Sequence, residues 1–145
     1  ATDDLIKALQ EGKEKFTFTD DGNLDKYLGV DVRKHKNGNI ELTQKHLIQR
    51  FLEVIKIDDK VHPRPTPALK PLLCRDIEGE PRKHSWNYWQ AIGMLNYLQG
   101  TSRPDIAMAV HQAARFCIDP KLSRARAVYH IGKYLHGTQD KGIIL

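Results

Sequence analysis

Tyr27-Leu28-Gly29-Val30-Asp31-Val32-Arg33, followed by Asn37-Gly38 and then Ile40-Glu41-Leu42, is the stretch from which the fold can be read. Strict alternation marks a half-buried strand. Leu28, Val30 and Val32 fall on one side, and Tyr27, Gly29, Asp31 and Arg33 on the other. Asn-Gly readily takes the positive φ angles of a type I′ turn, so Asn37-Gly38 predicts a reversal into Ile40-Glu41-Leu42, which alternates in the same way. The reading is a β-hairpin with one apolar and one polar face.

Upstream, Leu5, Ile6, Leu9 and Phe16 among Lys and Glu predict an amphipathic helix over 3–15. Phe16-Thr17-Phe18-Thr19 then alternates as a short strand, ended by Asp20-Asp21-Gly22. Downstream, Thr43 is the expected N-cap of a helix over 44–56, whose apolar stripe is Leu47, Ile48, Phe51, Leu52 and Ile55. Lys45, Gln49, Arg50 and Glu53 face away from that stripe. Residues 58–83 hold Pro63, Pro65, Pro67, Pro71 and Pro81, which predicts an extended connector. It is long for a structureless loop, so it should wrap over another surface.

The last third reads as three helices. One spans 85–100, with Trp89, Ile92, Leu95 and Leu98 in register and Met94 and Tyr97 widening the stripe. Pro104 fits the first turn of a second over 104–118, where Ile106, Val110, Ala113 and Cys117 make one face. Asp119-Pro120 predicts the start of a third, carrying Leu122, Ala125, Val128, Ile131 and Leu135 towards Gly137. Short links favour an antiparallel bundle. The fold class expected is α+β: an N-terminal helix with a small antiparallel sheet, then a mostly helical C-terminal bundle. Ile143-Ile144-Leu145 reads as the opening strand of a further domain.

Composition narrows the function classes. The chain has 145 residues, 40% hydrophobic and 28% charged, with net charge +5. That suits one domain or two small subdomains with a packed interior. No run approaches the ~18 apolar residues of a membrane span, and no signal peptide is evident, so no membrane partner is expected. Two cysteines, Cys74 and Cys117, fit a reducing, intracellular compartment, cytoplasmic or nuclear. The chain opens at Ala1 and closes on Gly142-Ile143-Ile144-Leu145, as a piece of a longer protein would.

Charge is uneven. Residues 1–32 carry four Lys against eight acidic residues, whereas 33–50 carry five basic residues against Glu41 alone. Residues 100–145 carry seven basic and three acidic. Two basic regions around a near-neutral middle suit a polyanion.

Neither the seven His nor the two Cys fall at zinc-ligand spacings, and no Gly-rich phosphate loop is present. Asp3-Asp4, Asp20-Asp21 and Asp58-Asp59 are adjacent acidic pairs. A catalytic pair needs a rigid seat, and these sit at a helix start, a turn and a helix exit. No catalytic residue and no metal ligand is expected in this chain. The hairpin is the better candidate: Gly29 leaves the ribbon open to close approach, Tyr27 flanks it, and Arg33, Lys34 and Lys36 follow. Lys45, Gln49 and Arg50 on the next helix can reach phosphates.

The order of these motifs resembles copia-type retrotransposon reverse transcriptases. Residues 16–32, from Phe16 to Val32, look like the segment after the catalytic strand of that family, and Ile40-Glu41-Leu42-Thr43-Gln44-Lys45-His46-Leu47-Ile48 like its return strand and first thumb helix. Thr66-Pro67, Tyr88-Trp89-Gln90-Ala91-Ile92-Gly93-Met94-Leu95-Asn96-Tyr97-Leu98 and Thr101-Ser102-Arg103-Pro104-Asp105-Ile106 resemble later blocks in order. Tyr134-Leu135-His136-Gly137-Thr138 and the closing Gly142-Ile143-Ile144-Leu145 resemble the approach to its ribonuclease H domain.

The resemblance implies a palm end, primer-grip hairpin and first thumb helix over 1–57, the connector over 58–83, and a helical thumb or connection region over 84–140. Residues 141–145 would begin the next domain. It implies that Tyr27, Leu28, Gly29 and Val30 grip an RNA–DNA or DNA–DNA primer–template. Other partners would be the remaining palm, fingers and ribonuclease H domains of the parent polyprotein. Magnesium is implied for the parent polymerase, with no cofactor in this chain. The family's Tyr-Val-Asp-Asp hairpin would lie further upstream of Phe16 than Asp3-Asp4 does, within apolar strands that Ala1-Thr2 does not supply. The chain alone is therefore expected to bind and not to catalyse. Two alternatives are an interaction or relic transposon module without nucleic-acid binding, and a small magnesium enzyme built on Asp20-Asp21.

Overall fold

Leu28 and Gly29 determine how the ribbon folds back. In the computed structural model, which describes residues 25–69, 73–74 and 76–145, they carry φ of +49° and +79°. Two consecutive positive φ angles make the tight two-residue reversal that matches strand twist. It joins β1 (Lys26–Tyr27) to β2 (Val30–Lys34), with Tyr27 paired to Val30. The single alternating strand expected over 27–33 is thereby corrected. Directly paired residues share a face, so Tyr27 lies on the side of Val30 and Leu28 sits in the turn.

The reversal at Asn37-Gly38 forms, but not as a type I′ turn. Only Gly38 has positive φ, at +90°. Gly38 N–H donates to the His35 carbonyl at 3.0 Å and His35 N–H to the Asn39 carbonyl at 2.9 Å. This is the three-residue loop in which one left-handed residue follows an ordinary turn. It leads into β3 (Ile40–Thr43), which pairs Val32 with Leu42 and Arg33 with Glu41.

A strand also forms at the end of the chain, where the opening of a further domain was expected, and it pairs within this sheet. β4 (Ile143–Ile144) pairs with β3, Leu42 opposite Ile143, so that the described residues form a four-stranded antiparallel sheet in the order β1-β2-β3-β4. A Cβ on Gly142 would run into the Leu42 carbonyl oxygen, so glycine permits this close approach.

Among the described residues four helices accompany the sheet: α1 (Lys45–Val54), α2 (Tyr88–Thr101), α3 (Ala107–Ala114, preceded by the 3-10 turn Pro104–Ile106) and α4 (Leu122–His136). The fold is α+β, as expected. The helix and strand expected over 3–15 and 16–19, with Asp3-Asp4 and Asp20-Asp21, lie outside the described residues.

Helix starts differ from expectation for identifiable reasons. Thr43 remains in β3, and α1 is capped by Gln44, whose side chain makes no cap hydrogen bond because it is drawn into the interior. Helix α2 begins after Asn87, whose side chain accepts from Gln90 N–H. Asp119 does not cap α4; it pairs with Lys121 at 2.7 Å, and the Leu122 N–H is satisfied by the Glu80 carbonyl of the connector at 2.9 Å.

Helix α1 ends in a tight left-handed cap. Lys56 has φ +60°, Lys56 N–H donates to the Glu53 carbonyl, and Ile57 N–H donates to Leu52 at 2.9 Å. This places Ile55 and Ile57 against Gly132 of α4, where a Cβ would overlap both side-chain tips. The left-handed cap and the glycine together let α1 close on α4.

The core joins Ile48, Phe51, Leu52 and Ile55 of α1 to Ala91, Ile92, Leu95 and Leu98 of α2. Ile106, Val110, Ala113 and Cys117 around α3, and Ala125, Val128, Ile131 and Leu135 of α4, complete it. Trp89 was expected in that stripe but is 61% exposed, and Tyr88 is buried in its place. Tyr88 stacks on Trp86 at 5.8 Å and donates its hydroxyl to the Ala113 carbonyl at 3.1 Å. The connector does wrap over α4, with Arg64 N–H on the Lys133 carbonyl at 3.3 Å and the His130 imidazole 3.0 Å from the Thr66 carbonyl.

Candidate nucleic-acid interface

The polar face of the hairpin is a ladder of opposite charges. Lys26 lies 3.6 Å from Asp31, Arg33 lies 3.7 Å from Glu41, and His35 Nε2 lies 3.0 Å from the same Glu41 carboxylate. Such exposed cross-strand pairs contribute little stability. They do neutralise part of the positive charge expected to meet a phosphate.

The ten candidate residues are placed unequally. Tyr27 and Leu28 are exposed at the β1–β2 turn, at 61% and 72%, with Gly29 beside them. Val30 is buried, so it offers a ligand no side chain. Arg33, Lys34 and Lys36 are exposed along β2 and its loop, and Arg33 alone of the three pairs with a described carboxylate. On α1, Lys45, Gln49 and Arg50 are all exposed, in the phase expected. Lys45 is held by Asp140 at 2.6 Å. The cations without a described carboxylate are thus Lys34, Lys36 and Arg50.

Several residues that position this surface were not recognised from the sequence. The Tyr97 hydroxyl of α2 donates to the Leu28 carbonyl at 2.7 Å, anchoring the turn to the bundle. Helical periodicity placed Tyr97 on a core stripe and gave no hint of a partner so distant in the chain. Gln44, between β3 and α1, is buried; its carbonyl accepts from Ser102 Oγ at 2.8 Å and also from Thr101 Oγ1. These contacts tie the junction of β3 and α1 to the end of α2.

Losing the turn anchor should loosen the turn without unfolding the bundle. A neutral hydrogen bond contributes about 1 kcal/mol, roughly a fivefold change in a local opening equilibrium. Tyr97→Phe is therefore expected to speed hydrogen exchange of the β1 and β2 amides about fivefold and to leave α1 and α4 unchanged. Equal acceleration throughout the chain would show that the tyrosine supports the whole fold instead.

The remaining chemistry is structural. Cys117 is buried, and burial pushes its thiol above the ordinary value, as suits a packed thiol and not a nucleophile. Asp58 accepts from the Lys60 N–H at 3.2 Å, a turn contact. Among the described residues no group of three or more His, Cys, Asp or Glu can hold a metal ion, and no helix is long and apolar enough to cross a membrane.

No family model matches the chain. No solved structure matches it either. Retrotransposon proteins do. The chain is 27% identical over 135 residues to a transposon Ty5-1 protein of Saccharomyces cerevisiae. It is 27% identical over 143 residues to the retrovirus-related Pol polyprotein from transposon RE1 of Arabidopsis thaliana. It is 31% identical over 141 residues to the corresponding polyprotein from transposon TNT 1-94 of Nicotiana tabacum. These alignments take in 92%, 97% and 92% of this chain but only 43%, 9% and 10% of the respective relatives. Over most of its length the chain is similar to a limited part of retrotransposon Pol polyproteins.

Proposed function

We propose that the chain is a piece of a retrotransposon RNA-directed DNA polymerase that holds a primer–template duplex without supplying catalytic carboxylates. Its similarity to Pol polyproteins over most of its length carries this reading. The exposed turn at Tyr27, Leu28 and Gly29 meets the primer, while Arg33, Lys34, Lys36 and Arg50 meet phosphates. The magnesium that a polymerase uses finds no fitting carboxylate group among the described residues, so no catalytic step is assigned here. The partners proposed are the duplex and the remaining domains of the parent polyprotein.

Contacts of this kind are electrostatic and independent of sequence. Four phosphates neutralised on a duplex correspond to a log–log salt slope of about −3.6, or roughly a hundredfold loss of affinity between 50 and 200 mM salt. Titration of a labelled RNA–DNA primer–template at several salt concentrations is the direct test. Arg33→Ala with Arg50→Ala should reduce the slope by about 1.8 for every duplex sequence. An unchanged slope would remove both residues from the interface, and absence of binding at low salt by the folded chain would end the gripping role.

One observation favours a second reading, an interaction module. Trp89, Met108 and Ile118 are 61%, 64% and 96% exposed, apolar side chains that a partner could cover. That reading expects concentration-dependent self-association in light scattering, and a monomer at high concentration would count against it.

A further inference from the structure

The polar face of the hairpin holds much of its charge in ion pairs, whereas a cleft elsewhere does not. Where the connector crosses α4, Arg64, Leu69 and His84 on one side meet Arg126, Tyr129, His130 and Lys133 on the other, around an open volume of about 680 Å³. On α4, Arg126, His130 and Lys133 are spaced i, i+4, i+7, so they share one face. Arg64 is brought to that face by its backbone contact with Lys133.

Among the described residues no carboxylate lines this cleft, and none of its three cations pairs with one. A second basic cleft behaves differently. There Lys121 is paired with Asp119, Arg124 is spent on the Cys74 carbonyl and the Phe116 ring, and Asp76 adds a further negative charge. The field in the first cleft is felt by His130. Burial pushes its pKa down, and the charges of Arg64 and Lys133 push it further, against the hydrogen bond to Thr66. Lys133 Nζ lies 5.1 Å from the Tyr129 ring centre, so an aromatic ring stands beside the cations. Cations next to a partly exposed ring suit a phosphodiester with its base.

We propose that the cleft between the connector and α4 binds a phosphate of a single nucleic-acid strand through Arg64, Arg126 and Lys133. This deepens the reading above, because the ligand is again nucleic acid, but it uses none of the hairpin or α1 residues. The two contacts can therefore fail separately.

The test follows backbone amides by NMR while the full chain is titrated at low salt with a mixed-sequence single-stranded DNA oligonucleotide. The expected result is saturable shifts at Arg64, Tyr129, His130 and Lys133. Arg64→Gln with Arg126→Gln should abolish them, and should lower the salt slope for the oligonucleotide by about 0.7, the single-strand value for the one phosphate held there. Lys133→Gln serves as the second variant should the double substitution disturb folding.

Shifts at the hairpin and α1 alone would overturn the cleft proposal and leave the gripping role intact. Shifts at the cleft alone would support the proposal and leave the hairpin to the duplex titration above. Inorganic phosphate shifting the cleft where the oligonucleotide does not would overturn the nucleic-acid ligand. Silence of both regions would overturn the cleft proposal, whereas the gripping role stands or falls with the duplex titration.

Discussion

Replacing Arg103 by alanine is expected to cost about 3 kcal/mol of stability, the low end of what breaking a buried charge pair costs, and to lower Tm by roughly 10 °C. Arg103 is 1% exposed, although charged side chains are rarely so buried unless paired. Its guanidinium grips Asp105 with two hydrogen bonds, of 2.9 and 2.8 Å. It also donates to the Thr138 carbonyl and hydroxyl, both at 2.8 Å. The Tyr134 hydroxyl closes the cluster on Asp105 at 2.6 Å. One side chain thus joins the end of α2 to the exit of α4. Asp105 is itself 38% exposed at the side chain and can recover water once abandoned, which keeps the cost from being larger. Urea unfolding measures the effect; a loss below about 1 kcal/mol would mean that the cluster closes without the guanidinium.

The same cluster gives a pH signature. Burial would push the Asp105 carboxyl up, but hydrogen bonds from Arg103 and Tyr134 and the charge of Arg103 outweigh it, and its pKa lies below the ordinary value. A depressed carboxylate contributes stability that is full above the unfolded-state value and is lost as pH falls through the native value. The wild-type chain should therefore lose stability below about pH 5 more steeply than Arg103→Ala does. Parallel acid limbs would separate Asp105 from the effect.

The second large effect distinguishes the bundle from the sheet. Phe51 is fully buried between α1 and its neighbours, so Phe51→Ala should cost about 4 kcal/mol, transfer and cavity combined. Leu42, on the apolar face of β3, is only partly buried, and Leu42→Ala should cost about 1 kcal/mol. The disparity follows from the packing: the helices pack mutually, α1 on α2 and α4 and α3 on both α2 and α4, while the strands pack mainly on one another. Denaturant midpoints for the two variants check it. Equal losses would make the sheet an integral part of the same core.

Much of this architecture was legible because its causes are local. Ile106, Val110 and Ala113 share a face through helical spacing alone, and all three are buried as that spacing required, whereas Cys117 is buried beyond the end of α3, which stops at Ala114 and not at 118. The outward phase of Lys45, Gln49 and Arg50 was readable for the same reason. Where the reading failed, either two local patterns looked alike or a remote partner intervened. The hairpin turned at Leu28-Gly29 because a two-residue reversal pairs Tyr27 with Val30, which alternation alone cannot distinguish from a continuous strand. Asp119 had the composition of a cap, but the connector supplied the Glu80 carbonyl instead.

The candidate surfaces divide in the same way. Arg126, His130 and Lys133 lie at helical spacing and could have been read as one basic face. That Arg64 joins them depends on where the connector crosses α4. Sequence by itself determined which residues alternate, which lie in helical phase and which carry charge, since these depend on neighbours a few positions away. Tertiary structure alone decided which charges are cancelled. Asp140 is brought to Lys45 and Thr138 to Arg103 by chain closure, and an ion pair depends on distance in space and not on distance along the chain.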